Sequence, residues 1–203
     1  LKTSSSWTET NEDYGATSID GTEIRIIQVS VVTYSYGGRY GYKDLLLEAT
    51  ATDSIVKTID YYGNVTQTTT SYEYGVIRGE AKIYRVTTTT EIDNIDGSHT
   101  IASHKGWRAQ ASVIHYIYDK RTGRLKDSGA EEDQPGIILI DDGFGNVTKT
   151  ETENIYKLIA GQAKIDTVAT HTEIHNIDGS HTIASHNDWI PCESKVKYDY
   201  DTN

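Results

Sequence analysis

Alternation with a period of two runs through much of this chain. In "KIYRVTTTTEI" (82–92), Tyr84, Val86, Thr88, Thr90 and Ile92 fall on one face of an extended strand, and their neighbours fall on the other. "KTIDYYGNVTQTTTSYEY" (57–74) reads as strand, turn at Tyr62-Gly63-Asn64, strand. "ASVIHYIYDK" (111–120) is a further strand, followed by a turn at Arg121-Thr122-Gly123. Helical periodicity is absent; "KDLLLEA" (43–49) is the one local candidate and is too short to convince. The pattern predicts an all-β fold of long antiparallel strands and hairpins, a sandwich-like or elongated β array.

The pattern also repeats. "NIDGSHTIASH" occurs at 94–104 and again, unchanged, at 176–186. Gly63-Asn64-Val65-Thr66 returns as Gly145-Asn146-Val147-Thr148, "GEAKI" from Gly79 as "GQAKI" from Gly161, and Trp107 as Trp189, each 82 residues on. Tyr34 and Tyr36, Tyr116 and Tyr118, and Tyr198 and Tyr200 share that spacing. "SIDGTE" (18–23) is a weaker relative, a few residues out of phase. The chain divides into a partial repeat (1–36), a first repeat (37–118) and a second (119–203), each unit long enough for several strands.

Within the duplicated string, Asp96-Gly97 and Asp178-Gly179 are hairpin signals. As two-residue loops they place Ile92 opposite Ile101, Thr89 opposite His104, Ile174 opposite Ile183, His175 opposite Thr182 and His171 opposite His186. On that register His171, Glu173, His175 and His186 share a face, a set chemically suited to zinc or copper. The first copy carries Thr89, Glu91, Asp93 and His104 there, and the string's own histidines lie five apart, on opposite strand faces. Solvated strand residues, with no bound metal, are therefore the expectation.

Composition sharpens the class. Fifteen Tyr and an abundance of Thr suit half-buried strand surfaces, and two Pro leave strands unbroken. A net charge of −11 repels phosphate backbones and excludes nucleic acid as the expected partner. No apolar run is long enough for a membrane span. Cys192 is the only cysteine, so no internal disulfide is expected. The start at Leu1, with no Met in the chain, reads as a processed end or a cut from something longer. Nucleotide-binding, zinc-protease and serine-hydrolase motifs are absent, and neither a catalytic residue nor a cofactor is expected. The carboxylates at 131–133 and 141–142 read as acidic loops. Asn64 and Asn146 head Asn-Val-Thr sequons, possible glycosylation positions that also read as turn residues.

"YIYDKRTGRLKDSG" (116–129), "TIDYYGNVTQTT" (58–69) and "LIDDGFGNVTKTET" (139–152) resemble the YD (Rhs-type) repeats of bacterial secreted and surface proteins. The resemblance rests on Tyr118-Asp119 with Gly123-Arg124-Leu125, and on Gly-Asn-Val-Thr after Asp60 or Asp142. It covers about a quarter of the chain; the 82-residue unit is longer than a YD repeat, and the first copy has Tyr36-Gly37 in place of Tyr-Asp. It implies an extracellular bacterial β scaffold without its own catalysis.

The expected function is that of a structural subunit or fragment of a surface fibre, assembling head to tail with copies of itself by strand pairing. The apolar run that holds Ile24, Ile26, Ile27, Val29 and Val31 is too β-prone to stay unpaired. The rivals are a cell-surface adhesin or glycan-binding module, and a shell fragment of an Rhs-type toxin complex.

Overall fold

The computed structural model describes residues 2–5, 15–17, 23–37, 45–128, 134–183, 194–198 and 200. Among them every regular element is a β-strand, and every strand pairing is antiparallel. The N-terminal strands are β1 (Lys2–Ser5), β2 (Gly15–Thr17), β3 (Glu23–Gln28), β4 (Val32–Gly37) and β5 (Leu45–Ala51). The short apolar run considered as a helix thus forms β5. Then come β6 (Ser54–Ile59), β7 (Val65–Ile77), β8 (Glu80–Asp93), β9 (His99–Thr100), β10 (Ser103–His104), β11 (Trp107–Arg108), β12 (Ser112–Tyr118) and β13 (Leu125–Ser128). The last are β14 (Gly136–Asp141), β15 (Val147–Ile159), β16 (Gln162–His175), β17 (His181–Ile183) and β18 (Ser194–Lys197). The bounds of β6, β7 and β8 recur in β14, β15 and β16, displaced by the 82 residues that separate the sequence copies.

One sheet runs in the order β17-β16-β15-β14-β9-β8-β7-β6-β3-β2. The two long hairpins, β7–β8 and β15–β16, are its spine, and β9–β14 pairing joins them, with Ile140 opposite Thr100 and Asp141 opposite His99. Ile101 N–H continues that junction by donating to Leu139 C=O at 2.9 Å. β12 and β18 flank β8 and β16, and β1, β4 and β5 form a separate small sheet. The β4–β5 and β12–β13 hairpins straddle the boundaries drawn at 36/37 and 118/119, so consecutive units share strand pairs.

Cross-strand Thr pairs, such as Thr68–Thr90 and Thr150–Thr172, account for the Thr-rich runs, because a β-branched hydroxyl side chain packs well across a pleated pair. Among the described residues the buried apolar side chains are few, Leu46, Ala49, Val113, Leu139, Val147 and Ala169, and of these Leu139 and Val147 are fully buried.

The duplicated turns are hairpins of a different kind from the one expected. Asn94 N–H donates to Ser98 C=O at 2.8 Å and Gly97 N–H to Asn94 C=O at 3.0 Å, and Asn176, Gly179 and Ser180 repeat this. Gly97 and Gly179 take φ of 90° and 85°, whereas Asp96 and Asp178 stay outside the positive-φ region. The loop is therefore three residues long, a turn closed by a left-handed glycine. The register moves by one residue: Asp93 faces His99, Ile174 faces Thr182, His175 faces His181 and Glu173 faces Ile183. The pairings expected for Ile92 with Ile101, Thr89 with His104 and Ile174 with Ile183 do not occur. His186, expected opposite His171, lies outside the described residues. Two-residue loops with positive φ at both positions sit elsewhere, at Arg78-Gly79, Lys105-Gly106 and Ala160-Gly161.

A Cβ on Gly97 meets nothing within 4 Å, so Gly97→Val probes backbone strain alone. It is expected to destabilise the fold by ~1 kcal/mol or more, read from the urea midpoint. An unchanged midpoint contradicts the assigned turn.

Candidate functional site: the junction and its two rims

Four turns stand side by side at one end of the sheet: 60–64, 94–98, 142–146 and 176–180. Each is organised by an Asp whose carboxylate accepts backbone N–H groups. Asp60 takes Tyr62 and Asn64 N–H, Asp96 takes Ser98, Asp142 takes Phe144 and Asn146, and Asp178 takes Ser180. Asp119 does the same for Arg121 and Thr122 in the β12–β13 turn, which gives the Asp of the Tyr-Asp motif a structural task. These carboxyls lie below the usual Asp range. The leading cause is the Asn64 or Asn146 side-chain amide for Asp60 and Asp142, backbone N–H donation from Ser98 and Thr122 for Asp96 and Asp119, and the Ser180 hydroxyl for Asp178.

Neighbouring turns are clasped together. Asn64 donates its Nδ2 to Asp60 at 2.7 Å and accepts Ile95 N–H on Oδ1 at 3.1 Å. Asn146 likewise donates to Asp142 and accepts Ile177 N–H at 2.9 Å. Both sequon amide nitrogens, the atoms a glycan would occupy, are thus committed to hydrogen bonds. This rim also presents Tyr62 (72% exposed), Ile95 (76%), Phe144 (74%) and Ile177 (72%).

The second feature lies on a face of the junction. β10–β11, a two-residue-stranded hairpin, leaves the sheet after Ile101 and lays Trp107 flat on His175 of β16, with centroids 3.7 Å apart and planes at 11°. His181 is 4.6 Å and His104 5.6 Å from the His175 ring. Glu173 holds His181 Nε2 at 3.1 Å and His171 Nε2 at 3.0 Å, with Lys149 Nζ at 3.5 Å. A carboxylate only accepts, so both imidazoles present Nε2–H to it. Burial pushes the Glu173 carboxyl up, but His171 and Lys149 outweigh it and hold it below its usual range.

The set proposed from sequence is therefore assembled as far as the described residues reach, His186 lying outside them, and it gains a member. His171, Glu173 and His175 share a face, and His181 joins them because the one-residue register shift turns it to that side. Among the described residues no group of three or more His, Cys, Asp or Glu is disposed to hold a metal. His104 and Trp107 were not expected here. Their 82-residue separation from His186 and Trp189 marked them as repeated, but only the fold shows that they reach across the junction.

Burial holds the His175 imidazolium form off and places its pKa below the ordinary value, reinforced by His181, His104 and Lys105 and opposed by Glu173. A histidine depressed in the folded state contributes stability that is complete above about pH 6.5 and declines as pH falls from there. Depressed carboxylates lose theirs only further down, below their usual range near pH 4. The urea midpoint is thus expected to fall in two stages on acidification. His175→Gln should remove the upper stage and leave the lower; a wild-type midpoint flat between pH 7 and 5 contradicts this.

β9 is only two residues long, so Thr89, Thr90 and Glu91 of β8 pair with β7 but have no strand partner on their other side among the described residues. A cavity of about 790 Å³ opens there, lined among others by Thr88, Thr90, His99, Thr100, Gln110 and Ser112.

Ile24, Ile26 and Ile27 lie in β3, which pairs with β6 of the same chain; Val29 and Val31 follow it, Val31 C=O accepting Thr52 N–H at 3.1 Å. Cys192 and the acidic run 131–133 lie outside the described residues. No helix is long and apolar enough to cross a membrane among the described residues. Comparison with protein-family models, with curated proteins and with solved structures finds no match.

Proposed function

We propose that this chain is a structural module of an extracellular bacterial array, a scaffold of the YD-repeat kind without catalysis, that joins copies of itself end to end by strand pairing. The observation that carries this reading is the large antiparallel sheet, whose end strands β2 and β17 each have one strand partner among the described residues. Unpaired edges are templates for a further strand. A contact between unlike ends does not close on itself and yields a filament. β1 and β2 pair with β4 and β3 in cis, so the N-terminal segment contributes its remaining edges to a junction.

The test is sedimentation velocity and electron microscopy over a concentration series. Polymers are expected from the full chain, and a folded monomer after deletion of residues 1–20. Full-length material that stays monomeric at high concentration removes the filament reading.

A second reading, adhesion to glycan or another surface partner, is favoured by one observation. The exposed aromatics Tyr61, Tyr62 and Phe144 gather on one turn rim, where planar rings suit stacking against sugar faces. Retention on a glycan array that is lost in the Tyr62→Ala, Phe144→Ala double variant would turn the assignment to adhesion.

A further inference from the structure

We infer that β17 is a docking edge for an extended segment of another chain built like β14: glycine first, an apolar run, aspartate last. The inference rests on the strand-pairing reading and specifies its receptor and its ligand.

The duplicated string is conserved within the chain further than a hairpin requires. A hairpin needs the turn and an apolar cross-strand pair; "HTI" after the turn points elsewhere. In the first copy His99 faces Asp141, Thr100 faces Ile140, and Ile101 N–H donates to Leu139 C=O. The outward edge of this tripeptide is thus the seat of β14. In the second copy the same three residues, His181-Thr182-Ile183, form β17 and pair with β16 alone among the described residues. Asn176 N–H bonds to Ser180 C=O, and alternation along the strand directs the backbone groups of Thr182 inward and those of His181 and Ile183 outward. All three β17 residues are exposed.

The occupied junction also defines what fits. Gly136 passes so close to Ser112 that a Cβ there would lie 3.3 Å from the Ser112 Cβ. Ser194 stands 82 residues after Ser112, at the start of β18, which pairs with β16 as β12 pairs with β8. Glycine is therefore the residue a visiting strand can place there without displacing the serine, and a bulkier side chain presses on it. Leu139 follows as the residue buried at the junction, and Asp141 as the acid facing an imidazole. β6 has Ser54, Lys57 and Ile59 at these three places and pairs with the divergent β3.

The experiment uses the full chain and a fluorescent peptide with the sequence of residues 134–146, followed by anisotropy. Saturable binding is expected, with roughly tenfold weakening for Ile183→Pro, which removes one outward N–H while leaving the inward bonds of Thr182 to β16. A peptide carrying Gly136→Val should fail to bind the unaltered chain, and this arm does not depend on the folding of any variant. A peptide of residues 52–64 should bind more weakly than the first. No binding of the first peptide, or equal binding of all three, overturns the inference. Polymers without peptide binding sink the docking edge and leave the filament reading; peptide binding by a chain that stays monomeric does the reverse.

Discussion

Leu139→Ala is expected to lower the unfolding free energy by about 2–5 kcal/mol, the range for truncating a fully buried leucine. Leu139 is 0% exposed and sits in the middle of β14, with Lys149 opposite on β15 and its carbonyl taken by Ile101 N–H. Few of the described side chains are fully buried, so each carries a larger share of the apolar term than it would in a thicker core. Two contributions add: the lost transfer energy of the isobutyl group, and the cavity left in a site pinned by strands on both sides. Leu47, 56% exposed in β5, provides the comparison; its alanine variant should stay within about 0.5 kcal/mol of the parent. Because β14 joins the two long hairpins, the Leu139 variant should also lose cooperativity, with probes in β7–β8 and β15–β16 melting at different urea concentrations. Equal midpoints for the two variants would show that the junction is not where the core lies.

Strand content was legible because alternation and Thr–Tyr richness are local signals, and β8 and β12 fall where the pattern put them. The 82-residue offset was legible as identity between residues. The register of the duplicated hairpins was not. Asp-Gly is compatible with both a two-residue and a three-residue loop, and the choice rests on whether Asp96 takes positive φ, which a sequence does not display. That single residue decided the site, since a slip by one turns every side chain to the other face and brought His181, in place of Thr182, beside Glu173. The true two-residue turns at Arg78-Gly79, Lys105-Gly106 and Ala160-Gly161 were hidden because Arg, Lys and Ala are not usual left-handed residues. The clasp from Asn64 to Ile95 and from Asn146 to Ile177 spans 31 residues each time, and no local pattern announces it.

Trp107→Ala should cost about 2 kcal/mol, less than a wholly buried tryptophan because this one is half-buried. The indole lies flat on His175, with His104 and His181 at 6.1 and 5.9 Å from its ring. It is the piece of the first hairpin's excursion that covers the second hairpin, on the face that also holds Val147, the cross-strand neighbour of His175. Removing it takes away a stacked pair and admits water to the imidazole. A Phe at this position keeps a flat ring and should recover at least half of the loss, whereas Leu should recover less at similar apolar area. A purely structural filler would lower stability equally at every pH. The stacked arrangement predicts otherwise: once His175 is wetted its pKa returns towards the ordinary value, and the decline in stability between about pH 6.5 and 5 should flatten in Trp107→Ala. NMR titration of His175 reads the same event directly, as an upward move of its midpoint in the variant. A midpoint that stays where it was, together with an unchanged pH profile, would mean that Trp107 does not shield His175 and that its contact across the junction is incidental.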